Sequence, residues 1–88
     1  MMNNFLIIGR LYKFIEEDEN SAIAVIKTKK DVNKGEYQID IIMNGSLKEN
    51  TKKYISSGDI LGVKGYISEN NKLIAEKVTF LSSKKEKE

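Results

Sequence analysis

Lysine and tyrosine recur side by side in this chain. Lys64 and Tyr66 flank a single glycine, and Arg10, Tyr12 and Lys13 crowd one short stretch. Lys27, Lys29 and Lys30, with Lys34 close behind, make the densest basic run, and Tyr37 follows it. These residue types support one kind of chemistry. An ammonium attracts phosphate, and a flat ring offers a face on which a base of any identity can stack. All but one of the 15 basic residues are lysines. Lysine is a flexible point charge, better suited to non-specific phosphate attraction than to bidentate reading of bases.

Other chemistries are excluded by composition. With no cysteine and no histidine, there is no disulfide framework, no zinc site built on Cys or His, no thiolate nucleophile and no histidine base. Glu76 has no obvious partner for acid–base work. Gly62 and Gly65 fall within a strand pattern, with no helix start to cradle an anion. Glu16, Glu17, Asp18 and Glu19 lie in an unbroken run, whereas hard-cation loops space their ligands around a glycine; they read as a solvated loop. No catalytic residue, metal or cofactor is expected, and the chain reads as a binding module, not an enzyme. The apolar run Phe5-Leu6-Ile7-Ile8 is far too short to span a bilayer. The first residues lack the basic start of a secretory signal, so a cytoplasmic location without membrane contact is expected.

Hydrophobic periodicity supplies the elements that must hold these residues. At 88 residues there is room for one domain with a modest core. A first strand is expected over residues 3–14, with Phe5, Ile7 and Leu11 on one face and Leu6, Ile8, Tyr12 and Phe14 on the other. Apolar residues on both faces imply that something covers the outer one, and Gly9 marks a sharp bend. Strands follow over 21–29 and 37–44, joined by a turn at 31–35. In the third, Ile39, Ile41 and Met43 point inward. Ser46 and Glu49 have capping-box spacing, Leu47, Tyr54 and Ile55 share a helical face, and Gly58 fits the C′ position. A fourth strand over 59–67 turns Leu61, Val63 and Ile67 inward and Ile60, Lys64 and Tyr66 outward. Asn70 and Asn71 tolerate a tight hairpin, and a fifth strand covers 73–81. Residues 82–88, with no apolar side chain, read as a disordered charged tail after a domain over 1–81.

Five strands with one helix between the third and fourth is the order of the OB-fold, a partly open Greek-key barrel. An SH3-like barrel with an inserted helix would show the same order.

Three segments then resemble one family. Asn4-Phe5-Leu6-Ile7-Ile8-Gly9-Arg10-Leu11 is similar to the opening strand of bacterial and phage single-stranded DNA-binding proteins. Tyr54-Ile55-Ser56-Ser57-Gly58 through Gly65 resembles that family's Tyr-Leu-x-x-Gly segment, and 73–81 its last strand. Primosomal replication protein N, a close relative, shows the same pattern. The resemblance implies an OB-fold, binding of single-stranded DNA, homodimers or tetramers built through the first strand, and contact with replication proteins. The chain departs from the family at Gln38 and Asn44, where the family has stacking aromatics, in its short hairpin between the fourth and fifth strands around Asn70, and in its Lys-Lys-Glu-Lys-Glu end.

The expected single-strand contacts are Lys64 and Tyr66 on one outward face, Tyr37, the Arg10–Tyr12 stretch, and Lys27, Lys29, Lys30 and Lys34. Each has a plainer reading. Tyr66 could cover a subunit contact, Tyr37 could be a core residue on the Ile39 face, which is the preferred reading for it, and the lysines could serve solubility alone. Phe80 and Tyr54 are assigned to the core, Lys48, Lys52 and Lys53 to a solvated helix face, and Phe5, Leu6 and Ile8 to a subunit interface. Two functions follow: capture of single-stranded DNA (RNA not being excluded) in replication, repair or recombination, or a protein–protein adaptor of a primosome-like assembly.

Overall fold

The computed structural model describes residues 3–31 and 33–82. The elements run β1 (Phe5–Glu16), β2 (Ser21–Thr28), β3 (Tyr37–Asn44), α1 (Gly45–Tyr54), β4 (Ile60–Ile67) and β5 (Leu73–Ser82). The strands close into one barrel in the order β1-β2-β3-β5-β4, with β3 and β5 parallel and every other pair antiparallel. This is the five-stranded OB-fold the element order predicts.

Closure depends on β1, which serves both halves of the barrel. Residues from Phe5 to Arg10 pair with β4, and those from Arg10 to Glu16 pair with β2. Gly9 sits at the bend. A Cβ there would fall 2.5 Å from both Ile26 Cγ2 and the Lys27 carbonyl oxygen. Only glycine lets the strand approach β2 this closely.

Inward positions alternate along each strand and meet in one core: Leu11, Ala24, Ile26, Ile41, Met43, Leu61, Val63 and Ala75. Several expectations change. A bulge between Leu11 and Lys13 inserts one residue opposite β2, which flips the later alternation. Phe14, read as outward, therefore packs against the core. Ile67, read as inward, lies at the end of β4 beside the 68–72 hairpin and is exposed. Ser82 ends β5 instead of opening a tail, and the rest of that tail lies outside the described residues. Asn71 does adopt a left-handed φ of 65° in the hairpin.

The helix begins without the Ser46–Glu49 capping box. Asn44 is the N-cap, with no side-chain cap bond. β3 runs straight into α1, and the Gly45 N–H donates to the Asn20 carbonyl at 2.8 Å, so a neighbouring loop satisfies an amide that a cap would otherwise serve. Nor is Gly58 the C′ residue. The helix ends at Tyr54 with Ile55 extended, and Gly58, at φ 97°, completes a separate turn. In that turn the Asp59 N–H donates to the Ser56 carbonyl, and Asp59 Oδ2 accepts from the Ser56 N–H at 2.9 Å. Asp59 is fully buried. Among the described residues no helix is long and apolar enough to cross a membrane.

Candidate nucleic-acid interface

Most of the predicted contacts gather at one corner of the barrel. Arg10 on β1 pairs with Lys27 on β2, and Lys27 with Gln38 on β3, so the three lie in one row across the outer face. The Lys27 ammonium sits 4.1 Å from the centroid of the Tyr12 ring, and the Lys13 ammonium lies 5.3 Å from it. The bulge that turns Phe14 inward also places Tyr12 beside Lys27. Tyr37 pairs with Thr28 and is 52% exposed. The core reading of Tyr37 is therefore wrong: it sits at the open barrel end, beyond the last core layer. Lys27, Glu36, Tyr37 and Gln38 line a depression of about 180 Å³. Lys29, Lys30 and Lys34 are exposed on the adjoining connection, where Asp31 Oδ1 accepts from the Asn33 N–H at 2.7 Å. Asp40, one row further along β3, tempers the positive charge.

Lys64 and Tyr66 do not join this corner. Lys64 pairs with Leu6 on one side and Lys77 on the other, and Tyr66 with Ile74. They do share an exposed outer face, as predicted. They border an apolar patch in which Leu6 is 63%, Ile8 55% and Leu81 50% exposed. A Cβ on Gly62 would lie 3.6 Å from Leu81 and 3.9 Å from Ile8, so both side chains lie over that glycine. Phe5, grouped with Leu6 and Ile8 as an interface residue, turns inward against the core. The Ile8 carbonyl already accepts a bond from the Thr28 hydroxyl at 2.8 Å.

The opposite end of the β1–β2 hairpin is acidic and held by the helix. Lys48, predicted to be solvated, is only 2% exposed. Its ammonium donates to the carbonyls of Asp18 at 2.9 Å and Glu19 at 3.0 Å and lies 3.3 Å from Glu16. The acidic loop folds back over the helix, a contact between distant segments that helical periodicity does not register. Lys52 also pairs with Glu16, at 3.1 Å. The Lys52 ammonium, and behind it Lys48, holds the Glu16 carboxyl below its ordinary pKa, while Glu16 raises Lys52. The Asn20 N–H and then the Ser21 hydroxyl hold Asp18 below its ordinary value. The hairpin thus runs from a cationic end to an anionic one.

Two features escaped the sequence reading. One is a row across all five strands, Ile15–Ile23–Ile42–Ile74–Tyr66, linked by successive pairings on the outer face. Each residue alone reads as an isolated outward position. The other is Tyr54 with Phe80. Both were assigned to the core, yet both are exposed, Tyr54 at 70%. Their rings meet edge to face, with centroids 6.5 Å apart. Periodicity gave their face correctly, but α1 covers the barrel end incompletely.

A scan against protein-family models finds no match, and a search of curated proteins finds none. Solved structures do match. The mitochondrial single-stranded DNA-binding protein Rim1 of S. cerevisiae superposes with a TM-score of 0.81 at 16% identity, over 94% of this chain and 99% of that one. The SSB domain of a Synechococcus protein gives 0.71 at 12% identity, over 89% and 94%. A dimeric structure of the N-terminal domain of PriB from Thermoanaerobacter tencongensis gives 0.71 at 13% identity, over 92% and 98%. The chain therefore shares the fold of these proteins along nearly its whole described length.

Proposed function

We propose that the chain binds single-stranded DNA without turnover, at the corner formed by Arg10, Tyr12, Lys27 and Tyr37, in replication, repair or recombination. The observation that carries this reading is the Lys27 ammonium resting on the Tyr12 ring beside Arg10. A cation over an exposed ring is worth only about 0.5–1 kcal/mol, so an incoming strand can part the two. The phosphate takes the ammonium and the base takes the ring. Stacking is worth about 1–3 kcal/mol per base, enough to drive the exchange. Tyr37 offers a second ring, and Lys29, Lys30 and Lys34 extend the attraction for phosphate. Lys64 and Tyr66 form a separate contact, reached by a longer strand. The Leu6–Ile8–Leu81 patch supports a homodimer, in line with the fold shared with the dimeric PriB domain; two dimers joined would give a tetramer.

The alternative, an adaptor for replication proteins with weak nucleic-acid affinity, draws support from Gln38 and Asn44, which cannot stack as aromatics do. One titration separates the readings. Fluorescent oligo-dT, the matching RNA and a duplex are each added at two salt concentrations. Single-strand binding should exceed duplex binding and weaken with salt, with a log–log slope of roughly −0.7 per phosphate contacted. Tyr12→Ala with Lys27→Ala should abolish most of it. Equal affinity for duplex, or a folded double variant that binds as before, rejects the assignment.

A further inference from the structure

For most of its length β5 has a strand neighbour on only one side. β4 pairs it from Leu73 to Ser82, whereas β3 meets it only at Leu73 and Ile74. Continuing that register, Asn44, the last residue of β3, comes level with Glu76, and there the chain turns into α1. From Glu76 onward the far edge of β5 faces a helix instead of a strand. No other described main-chain group bonds to that edge. An unpaired row of amides and carbonyls is a template for another strand.

A groove of about 300 Å³ runs between the helix and this edge. Its helix wall is formed by Leu47, Asn50, Thr51 and Tyr54, which recur at helical spacing along one face. Its other wall is β5 from Glu76 to Phe80. Leu47, Val78, Tyr54 and Phe80 make the lining largely apolar; the two rings, both exposed, meet edge to face across one end, so a strand entering there must part them.

The geometry points to this groove as a docking site for an extended peptide segment of a partner protein, taken up by strand addition to β5. Main-chain bonds to the free edge supply affinity, and alternate side chains enter the apolar lining. From Glu76 to Phe80 the edge spans about 13 Å, and from Leu47 to Tyr54 the helix spans about 10 Å. Four to five extended residues fit. α1 stands along the same edge, so a strand still held in its own sheet cannot enter; a free segment is selected over a second barrel. Lys77 lines the groove beside the carboxylate of Glu76, and Lys53, one helical turn beyond Asn50, adds an exposed positive charge to the helix. The segment that fits alternates aromatic or aliphatic with polar residues and carries an acidic residue at one end. The groove shares no residue with the Arg10–Tyr37 corner and does not depend on its function.

A phage-displayed library of random nonapeptides panned on the whole chain tests this. Enriched sequences should alternate apolar side chains, lack proline at their centre and contain an acidic residue. The best synthetic peptide should shift the backbone amide resonances of residues 76–80 and of the helix wall. N-methylation of the amides along one edge of the peptide should weaken it at least about tenfold, while methylation along the other edge should not, because strand addition uses one edge only. Tyr54→Ala, at a largely exposed position, should keep the fold and also weaken binding about tenfold. No enrichment over an unrelated protein, amide shifts elsewhere on the barrel, or binding indifferent to N-methylation would overturn the proposal.

Discussion

Replacing Lys48 with methionine removes one charge and leaves the buried stem in place. In the native chain the ammonium holds the Asp18 and Glu19 carbonyls at 2.9 and 3.0 Å and two carboxylates at 3.3 and 3.5 Å. A hydrogen bond to a charged group contributes roughly 1.5–3 kcal/mol. Two are lost, but the loop around them is exposed, so water recovers part of the loss. Methionine also relieves the desolvation of a buried ammonium. The net destabilisation expected is about 2–3 kcal/mol. A chain of this size has only roughly 4–13 kcal/mol in total. The melting temperature should fall by roughly 10–20 °C, and the urea midpoint should drop at constant m. Amides of residues 17–20 should lose protection before the barrel does. A Lys48→Met protein as stable as the parent would refute the reasoning, since burial of the ammonium would then cost as much as its bonds return.

Ile8→Glu should convert a dimer to monomer by light scattering at micromolar concentration, because it puts carboxylates on the Leu6–Ile8–Leu81 patch; a parent chain already monomeric there, or an unchanged mass in the variant, ends the dimer reading. Lys64→Ala with Tyr66→Ala should leave the affinity for short oligonucleotides unchanged and weaken only longer ones, as the two lie away from the Lys27 corner; equal loss at every length would place them in one site. Stability should fall on the acid side. Glu16 and Asp18 have folded pKa values below their ordinary 4.5 and 3.8, so their contribution is complete above those values and is lost as pH falls through the lowered ones. In Glu16→Gln the acid decline in chemical stability should be shallower; a decline identical to the parent's would remove Glu16 from its cause.

The order of the elements, the inward set on β3, and Leu61 and Val63 on β4 were readable because burial on one face imposes a period of two. The bulge at Tyr12 was not, since an inserted residue leaves no mark in composition, and it carried Phe14 to the wrong face. Lys48 misled for a related reason. Its helix face is fixed by the sequence, but the carbonyls that cover it come from a loop far along the chain. Tyr37, Tyr54 and Phe80 all lie on inward-pointing positions, yet at barrel ends where the interior runs out. Pattern gives direction but not depth. The site divided along the same line. Arg10, Tyr12 and Lys27 converge through β1–β2 pairing, whereas Lys64 and Tyr66, equally basic and aromatic in sequence, lie across a different seam.

The double pairing of β1, to β2 and to β4, implies an order of assembly for the barrel. The β1–β2–β3 meander needs only neighbouring segments and can form early, whereas joining β1 to β4 must await α1 and closes a long loop at an entropic cost. Contact order makes that closure the expected slow step, whereas a side chain at residue 9 would clash with Ile26 and Lys27 of β2 and obstruct the meander itself. The folded barrel would open first at a different seam, β3–β5, which is joined only at Leu73 and Ile74. Arg10, Tyr12, Lys27 and Tyr37 all reside on the β1–β2–β3 meander, so a molecule transiently parted between β3 and β5 would still hold its cationic corner intact.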